Sequence, residues 1–564
     1  MMTMHRHLED IARTPHDLVV IGGGINGAAV AWEAVLRGLR VALLERADFG
    51  WATSSNSAKI GHCGMRYLQH GDVKRLREST RERNNLVRNA PHLVDSQPFL
   101  MPVYGHGVKG RETVGAYLRL YDLLSRSKGA FEDPGRRIER SRMIGPDEVE
   151  AMMPGVPKEG LTGAGLWQEG QMHNTERLLL AYLRAAEARG LKLANYASVD
   201  RIRQRDGNVV GVSVRDVRGG QSVEVDAAVV VNASGPWALG TLTDGQLAAS
   251  DYGIFASKAF SLLTRSFTTD TAFTFPIRQM YADKKALVDK GASMQFAIPW
   301  RDSTMIASRH LGVSSEEPES IVVTDREIEE YLELVNEGYP AASLTREDIR
   351  NVPWGIIPAE ERGSAAPLKH YKIIDHSAED SIGGLLTVVG VKYTTSRDIG
   401  EKTVDLAARQ LARPVGRSVS ATTPLWGGDI ERIDDFHADA VARHAERFPE
   451  GVVRRLARAY GTGIEEIVAL VDEDPELARC IEGTETTRAE VVHAVRREMA
   501  LTLADVVLRR TDMASLERPG EAALRETAAL VAAELGWDEA TAEANARAVA
   551  AFFDERPARL GVAA

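Results

Sequence analysis

Cysteine is nearly absent from the chain. Its 564 residues hold two, Cys63 and Cys480, too few for a disulfide framework or a clustered thiolate metal site, and a reducing compartment agrees with that usage. Basic residues are in deficit, with 69 Lys and Arg against 80 Asp and Glu and a formal net charge of −11. Binding a phosphate backbone needs a basic face, so nucleic acid is excluded as the main partner. Long apolar runs are missing too. No stretch approaches the ~18 uninterrupted apolar residues of a spanning helix, and the opening MMTMHRHLEDIARTPHD has no apolar region of the kind that directs export. A cytoplasmic protein is expected, with a peripheral membrane contact through a local basic cluster left open. What remains, 44% hydrophobic and 26% charged residues, is a soluble globular profile long enough for two or three cores.

The segment DLVVIGGGINGAAVAWEAVLRGLRVALLER (17–46) reads as strand, turn, helix and second strand. Gly22, Gly24 and Gly27 form G-x-G-x-x-G between the first strand and the helix, and Glu45 closes the second strand. Gly22 permits the tight turn, Gly24 lets backbone approach a pyrophosphate, and Gly27 lets helix pack on strand. The helix N-terminus adds amide donors and the positive end of a dipole. Glu45 can accept from both hydroxyls of an unphosphorylated ribose. The motif predicts a dinucleotide site without separating NAD from FAD; its place near the start of a long chain favours FAD.

Further on, TERLLLAYLRAAEARG (175–190) reads as a helix, and ASVDRIRQRDGNVVGVSVRD (197–216) as a hairpin turning at Asp206-Gly207. The strand AAVVV then leads into NASGPWA (232–238), whose small residues allow close backbone approach. The nucleotide-binding domain is therefore expected to be discontinuous. SMQFAIPW and TMIASRH suggest a sheet walling a substrate pocket. SIGGLLTVVGVKYTTSRDIGEKTVDLAARQLA (381–412) repeats the grammar of strand, glycine, polar turn and amphipathic helix, and that helix can aim its dipole at a bound ring. From about residue 430, Ala, Glu, Arg and Leu at helical spacing predict a separate helical domain. One polar segment, SSNSAKIGHCGMRYLQHG (54–71), fits neither core nor ordinary loop.

Taken together, these motifs resemble the FAD-dependent glycerol-3-phosphate dehydrogenases of the D-amino-acid-oxidase-like flavoprotein superfamily. The resemblance runs through the fingerprint at 20–45, ATSSNSAKIGHCGMRYLQHGD, NASGPWA, VKYTTSRDIGEK (391–402), YGTGIEEI and AEVVHAVRREMALTLADVVLRRTDM (489–513). It implies an α/β plus α fold: a Rossmann-like FAD-binding domain (1–95, 171–245, 366–425), an antiparallel-sheet substrate domain (96–170, 246–365) and a C-terminal α-helical domain (426–564). It also implies hydride transfer from C2 of glycerol 3-phosphate to the flavin, with electrons leaving to a quinone or to oxygen. No metal is implied.

By the same resemblance, Gly22, Gly24, Gly27 and Glu45 would bind the ADP half of FAD, and Thr53, Ser54, Ser55 and Ser57 the pyrophosphate and ribityl oxygens. Lys59, His62 and Gly64 would approach the ring, and Arg66 and Tyr67 would face substrate. Ser234, Gly235 and Trp237 would line the cofactor groove, with Lys392, Tyr393 and Thr394 at the ring's polar edge. Without the resemblance, Arg66 reads equally as a surface ion pair and Tyr67 as a core aromatic.

Departures from the family pattern gather in the substrate pocket. Ile357 stands where the family has an arginine, and Lys369 or His370 replaces a second one, a weaker bidentate partner for phosphate. A turn in the family's pattern reads ASRH here, introducing Arg309 and His310; Lys258 is kept while a histidine near it is lost, and Cys63 replaces a glycine. Lys258, Arg309 and Lys369 are the candidate replacements for substrate binding. His310 is the candidate base, because imidazole titrates nearest neutrality, against the plainer reading of a solvated loop histidine. A phosphate-free sugar, polyol or amine is the alternative substrate, and a flavin-binding protein with altered catalysis the alternative role. The amphipathic, then basic, stretch 115–142 reads as a core-packed helix and solvated loop, or as a membrane-surface element. The C-terminal helices would pack internally or form a homodimer contact.

Overall fold

A computed structural model of the chain describes residues 3–62, 64, 67, 71–107, 110–125, 133–244, 252–278, 292–315 and 317–555. Arg66, Cys63 and the basic part of 126–132 lie outside the described residues.

The run HDLVVI becomes the strand His16–Ile21, buried throughout. Its continuous apolarity has a physical cause: Leu18 and Val20 face one hydrophobic core while Val19 and Ile21 face another, as in a parallel sheet covered on both sides. That strand sits centrally, parallel to Val41–Leu44 on one side and to Ser222–Asn232 on the other. The sheet runs outward to Lys192–Ala194 at one edge and through Leu385–Val389 to Lys372–Asp375 at the other. The hairpin Ala197–Arg205 and Asn208–Asp216 joins it through Ser222–Asn232. Asp206 and Gly207 both take positive φ, 52° and 75°, the geometry a two-residue hairpin turn of right-handed strands requires. Helix Ile25–Leu36 covers one face and meets helix Ser396–Gln410 so closely that a Cβ on Gly400 would lie 2.6 Å from the Ala29 carbonyl oxygen.

A second, ten-stranded sheet is mostly antiparallel, and its strands Phe255–Arg265, Ala292–Trp300, Ser303–Gly312 and Trp354–Ala359 include the predicted SMQFAIPW and TMIASRH. Helix Asp325–Gly338, started by a Thr324–Glu327 capping box, packs on one face of this sheet through Ile328, Tyr331 and Val335. The opposite face turns toward the first sheet. After residue 430 the described elements are helical, among them Ile433–His444, Glu450–Tyr460, Ile464–Glu473, Arg488–Glu498, Glu521–Leu535 and Glu539–Asp554. No described helix is long and apolar enough to cross a membrane.

Candidate active site

The strand–helix turn is shaped by its glycines. Gly22 has φ 105°, and a Cβ there would lie 2.6 Å from the Ala233 carbonyl oxygen; a Cβ on Gly27 would lie 1.9 Å from the carbonyl oxygen of Gly22. Gly24 is the N-cap of helix Ile25–Leu36, and a Cβ there would meet only the Ser54 hydroxyl, at 3.2 Å. The first two glycines thus serve the protein's own packing. The third keeps backbone bare at the mouth of a cleft. Glu45 ends the second strand and accepts from the Gly23 amide at 2.6 Å, the Ala47 amide at 2.9 Å and Trp51 Nε1 at 3.1 Å. Burial raises its carboxyl above the usual range, against the pull of the Ala47 and Gly23 amides.

From this turn a cleft of about 970 Å³ runs between the two sheets. Gly22, Gly24, Glu45, Thr53, Ser54, Ser57, Lys59, Ser234, Gly235, Trp237, His310, Lys392 and Tyr393 all line it. Ser54 Oγ accepts from the Ile25 amide at 3.1 Å, which places a hydroxyl at the helix N-terminus. Thr53 Oγ1 donates to the Ile356 carbonyl at 3.0 Å and ties this loop to the substrate sheet. Ser234 Oγ donates to Asn232 at 2.6 Å, holding the NASGPW turn. Lys59, at φ 56°, places Nζ 3.1 Å from Thr175 Oγ1 and from Glu176 Oε2, and 5.1 Å from the Trp300 ring centroid. Tyr393 donates to the Thr175 carbonyl at 3.0 Å, and burial pushes its hydroxyl well above the ordinary tyrosine value.

At the far end of the cleft Lys392 Nζ donates to Tyr67 Oη and to Ser79 Oγ, each at 2.8 Å. The Arg75 guanidinium lies 4.0 Å over the Tyr67 ring, and the same ring leaves no room for a Cβ on Gly64. His62 pairs with Glu169 at 3.2 Å and sits edge-on to Phe296. Tyr67, His62 and Gly64 stand behind the lining, as do Gly27, Ser55 and the buried Thr394.

The structure does not bring Lys258, Arg309 and Lys369 to the cleft. Strand alternation is the reason for the first two. Ala259 and Ser261 line the cleft, so Lys258 points to the opposite face, where Nζ donates to the Val322 carbonyl at 2.6 Å and to Glu327 at 2.8 Å. Ser308 and His310 line it likewise, and Arg309 turns to helix Asp325–Gly338, pairing with Glu330 at 3.3 Å. Lys369 faces Glu360 at 3.9 Å, and His370 faces Asp72 at 3.1 Å. Ile357 does line the wall.

Several lining residues escaped the sequence reading. Asn26 contributes a buried Oδ1 with no hydrogen-bond partner; it lies inside the glycine motif, at a position the motif leaves free. Arg46 and Trp51 flank the predicted Glu45 and Thr53, while Glu319 comes from a distant segment that carries no motif; Ser79 and Glu176, also unpredicted, act from behind the lining by holding Lys392 and Lys59. The glycine turn, the orphaned Asn26 acceptor, the hydroxyl-lined floor and the cleft volume fit an extended dinucleotide. Among the described residues no cluster could hold a metal ion.

A parallel sheet with a glycine turn under its central helix, facing a second sheet across a long cleft, defines a dinucleotide-binding protein, and the match of residues 17–391 to the model of the FAD-dependent oxidoreductases makes it a flavoprotein oxidoreductase with FAD as cofactor. Residues 418–542 match the model of the C-terminal domain of alpha-glycerophosphate oxidase. The chain belongs to the FAD-dependent glycerol-3-phosphate dehydrogenase family. It is 30% identical over 547 residues to a glycerol-3-phosphate dehydrogenase of Synechocystis sp., covering 95% of each chain. It is 29% identical to the aerobic glycerol-3-phosphate dehydrogenase of Bacillus subtilis, over 90% of this chain and 88% of that one. The solved glycerol-3-phosphate dehydrogenase of Bacillus halodurans, complexed with FAD, shares the fold at a TM-score of 0.74 and 24% identity, covering 99% of this chain and 98% of that one.

Proposed function

We propose that the protein oxidises the secondary alcohol of glycerol 3-phosphate, or of a closely related polyol phosphate, and passes the electrons to a quinone or to oxygen. The observation that carries this reading is the cleft itself. One continuous space joins the Gly22–Gly24 turn and Glu45 to Lys392 and His310, so a dinucleotide seated on the turn and a small alcohol at the far end share it.

Bound FAD supplies the two-electron acceptor for the hydride that leaves the alcohol carbon. The chain holds it with the backbone at Gly22 and Gly24, the carboxylate of Glu45, the hydroxyls of Thr53, Ser54 and Ser57, and Asn26. At the substrate end the ammonium of Lys392, steered by Tyr67 and Ser79, stabilises negative charge on the substrate oxygen as its proton departs. His310, facing the cleft from the substrate sheet, takes that proton. Ile357 makes its part of the sheet wall aliphatic, so phosphate recognition falls to cationic groups outside that wall, Lys392 among them. A peripheral contact with an anionic membrane surface is supported by Leu120 and Leu123, exposed at 46% and 60% on helix Arg111–Leu124, and by Tyr104 at 40%.

The test is anaerobic. Glycerol 3-phosphate added to the purified flavoprotein is expected to bleach the flavin absorption band. If it leaves the band intact while a phosphate-free polyol or an amine bleaches it, the substrate assignment is wrong.

A further inference from the structure

At the Glu45 end of the cleft four residues from three separate segments close on one another. Trp51, from the loop after strand Val41–Leu44, stacks on Trp237, from the turn Gly235–Trp237, with centroids 5.1 Å apart and planes at 29°. The Arg46 guanidinium lies 4.1 Å from the Trp237 ring centroid and 5.2 Å from that of Trp51. Glu319 comes from the turn Pro318–Ser320, beyond the strand Ser303–Gly312 of the other sheet. Its carboxylate accepts from Trp237 Nε1 at 2.5 Å and lies 3.6 Å from Arg46. All four line the cleft, and Trp51 Nε1 also donates to Glu45, whose other oxygen holds the glycine turn.

We infer that Arg46, Trp51, Trp237 and Glu319 form a clasp over the adenosine end of the FAD site, which must open for the cofactor to enter or leave and so sets its rate of release. The stack is a closure and not a sandwich for a base. Aromatic partners take about 4.5 Å or more per stacking step, and centroids 5.1 Å apart leave no space for a third ring. Glu319 is the latch, because it alone of the four comes from the segment that follows the substrate sheet, and its bonds to Trp237 and Arg46 join the two walls across the mouth. With Arg46 and Glu319 side chains 41% and 66% exposed, the ionic part of the latch is open to solvent and weakens with salt. The stack beneath it does not.

The inference rests on FAD as cofactor and not on the identity of the substrate, so it is tested with no substrate present. The holoenzyme is diluted, and FAD release is followed by the rise of free-flavin fluorescence. Glu319→Ala and Trp237→Ala are each expected to release FAD about tenfold faster than the parent, the effect of losing one hydrogen bond to a charged partner. Glu319→Gln, which keeps an acceptor for Trp237 and loses the charge, falls between. Raising the salt speeds release from the parent and leaves Glu319→Ala unchanged. Release at the parent's rate from both alanine variants, or the same salt response in parent and Glu319→Ala, overturns the clasp. Glu319 lies on the surface, so its variants retain the fold against which release is measured.

Discussion

Replacing Asp48 by asparagine tests how the helical domain and the cofactor domain are joined. Asp48 is 1% exposed, in the loop between Glu45 and Trp51. Its carboxylate accepts from Arg509 Nε at 2.5 Å, from Arg510 Nη1 and Nη2 at 2.7 Å each, and from Asn195 at 3.2 Å. Asp505, which bonds Arg509 at 2.8 Å and Tyr196 at 2.7 Å, supplies the second carboxylate. Two anions thus balance two cations. Burial works against the Asp48 charge, but Arg510 and Arg509 hold its carboxyl far below the usual range, while burial and Asp48 raise that of Asp505. Asp48→Asn leaves the two guanidiniums facing one anion. Breaking such a buried pair costs about 3–5 kcal/mol, a large part of the 5–15 kcal/mol typical of a folded domain. Guanidinium unfolding followed by far-ultraviolet circular dichroism is expected to show a loss of that size. Adding Arg510→Met restores neutrality, so the double variant is expected to be more stable than Asp48→Asn alone, a sign that pairwise coupling gives and independent losses do not. A single variant within about 1 kcal/mol of the parent, or a double variant weaker than Asp48→Asn, refutes the charge balance.

Gly27→Ala places a Cβ 1.9 Å from a carbonyl oxygen of the turn, so the variant is expected to purify without FAD, read from its visible spectrum. Lys392→Met is expected to keep its FAD and to lose about a hundredfold or more in the rate of anaerobic flavin reduction by glycerol 3-phosphate; an unchanged rate removes Lys392 from the chemistry. Acid should destabilise the fold early. Burial depresses His92 and His173 from 6.5 to about 3, so between those values the unfolded chain binds protons that the folded chain refuses. Stability therefore falls as pH drops through that window, at about 1.4 kcal/mol per unit for each group. Glu498 adds to the loss below its unfolded value of 4.5: burial would raise it, but Arg177, His493 and Arg184 bring it down to about 2. A thermal midpoint that stays level from pH 6.5 to pH 5 contradicts this.

Much of the cofactor end was legible in the sequence because its constraints are local. The apolar run 17–21 declared the first strand, Gly22, Gly24 and Gly27 declared the turn and the close packing of helix on strand, and Asp206-Gly207 declared a hairpin. The substrate end was not legible, since it depends on which face of a strand is covered by an element encoded elsewhere. Lys258 alternates in step with Phe260, and that parity already put it on the core side. For Arg309, the deciding fact is helix Asp325–Gly338, which covers the face opposite His310. Nothing local announces the ion pairs of Asp48 with arginines 461 and 462 positions away, and a lone aspartate in a loop is ordinarily solvated.

That distant grip gives the helical domain a role the cleft alone does not disclose. No residue beyond Tyr393 lines the cofactor cleft among the described residues, so the domain from 430 onward supplies none of its surface. Yet its Arg509 and Arg510 hold Asp48, and Leu508, Arg509, Ala514 and Ser515 share a small cavity with Trp51, Ser55, Asn56 and Lys59. The loop that carries the hydroxyls and one half of the indole stack is thus braced from behind by charges that cannot separate without leaving an unpaired ion in the interior. A loop held so stiffly has less conformational freedom to lose when the cofactor binds, which converts the stability of the helical domain into cofactor affinity. The helical domain thus braces residues 48–59 from behind, while no described residue of it lines the cleft.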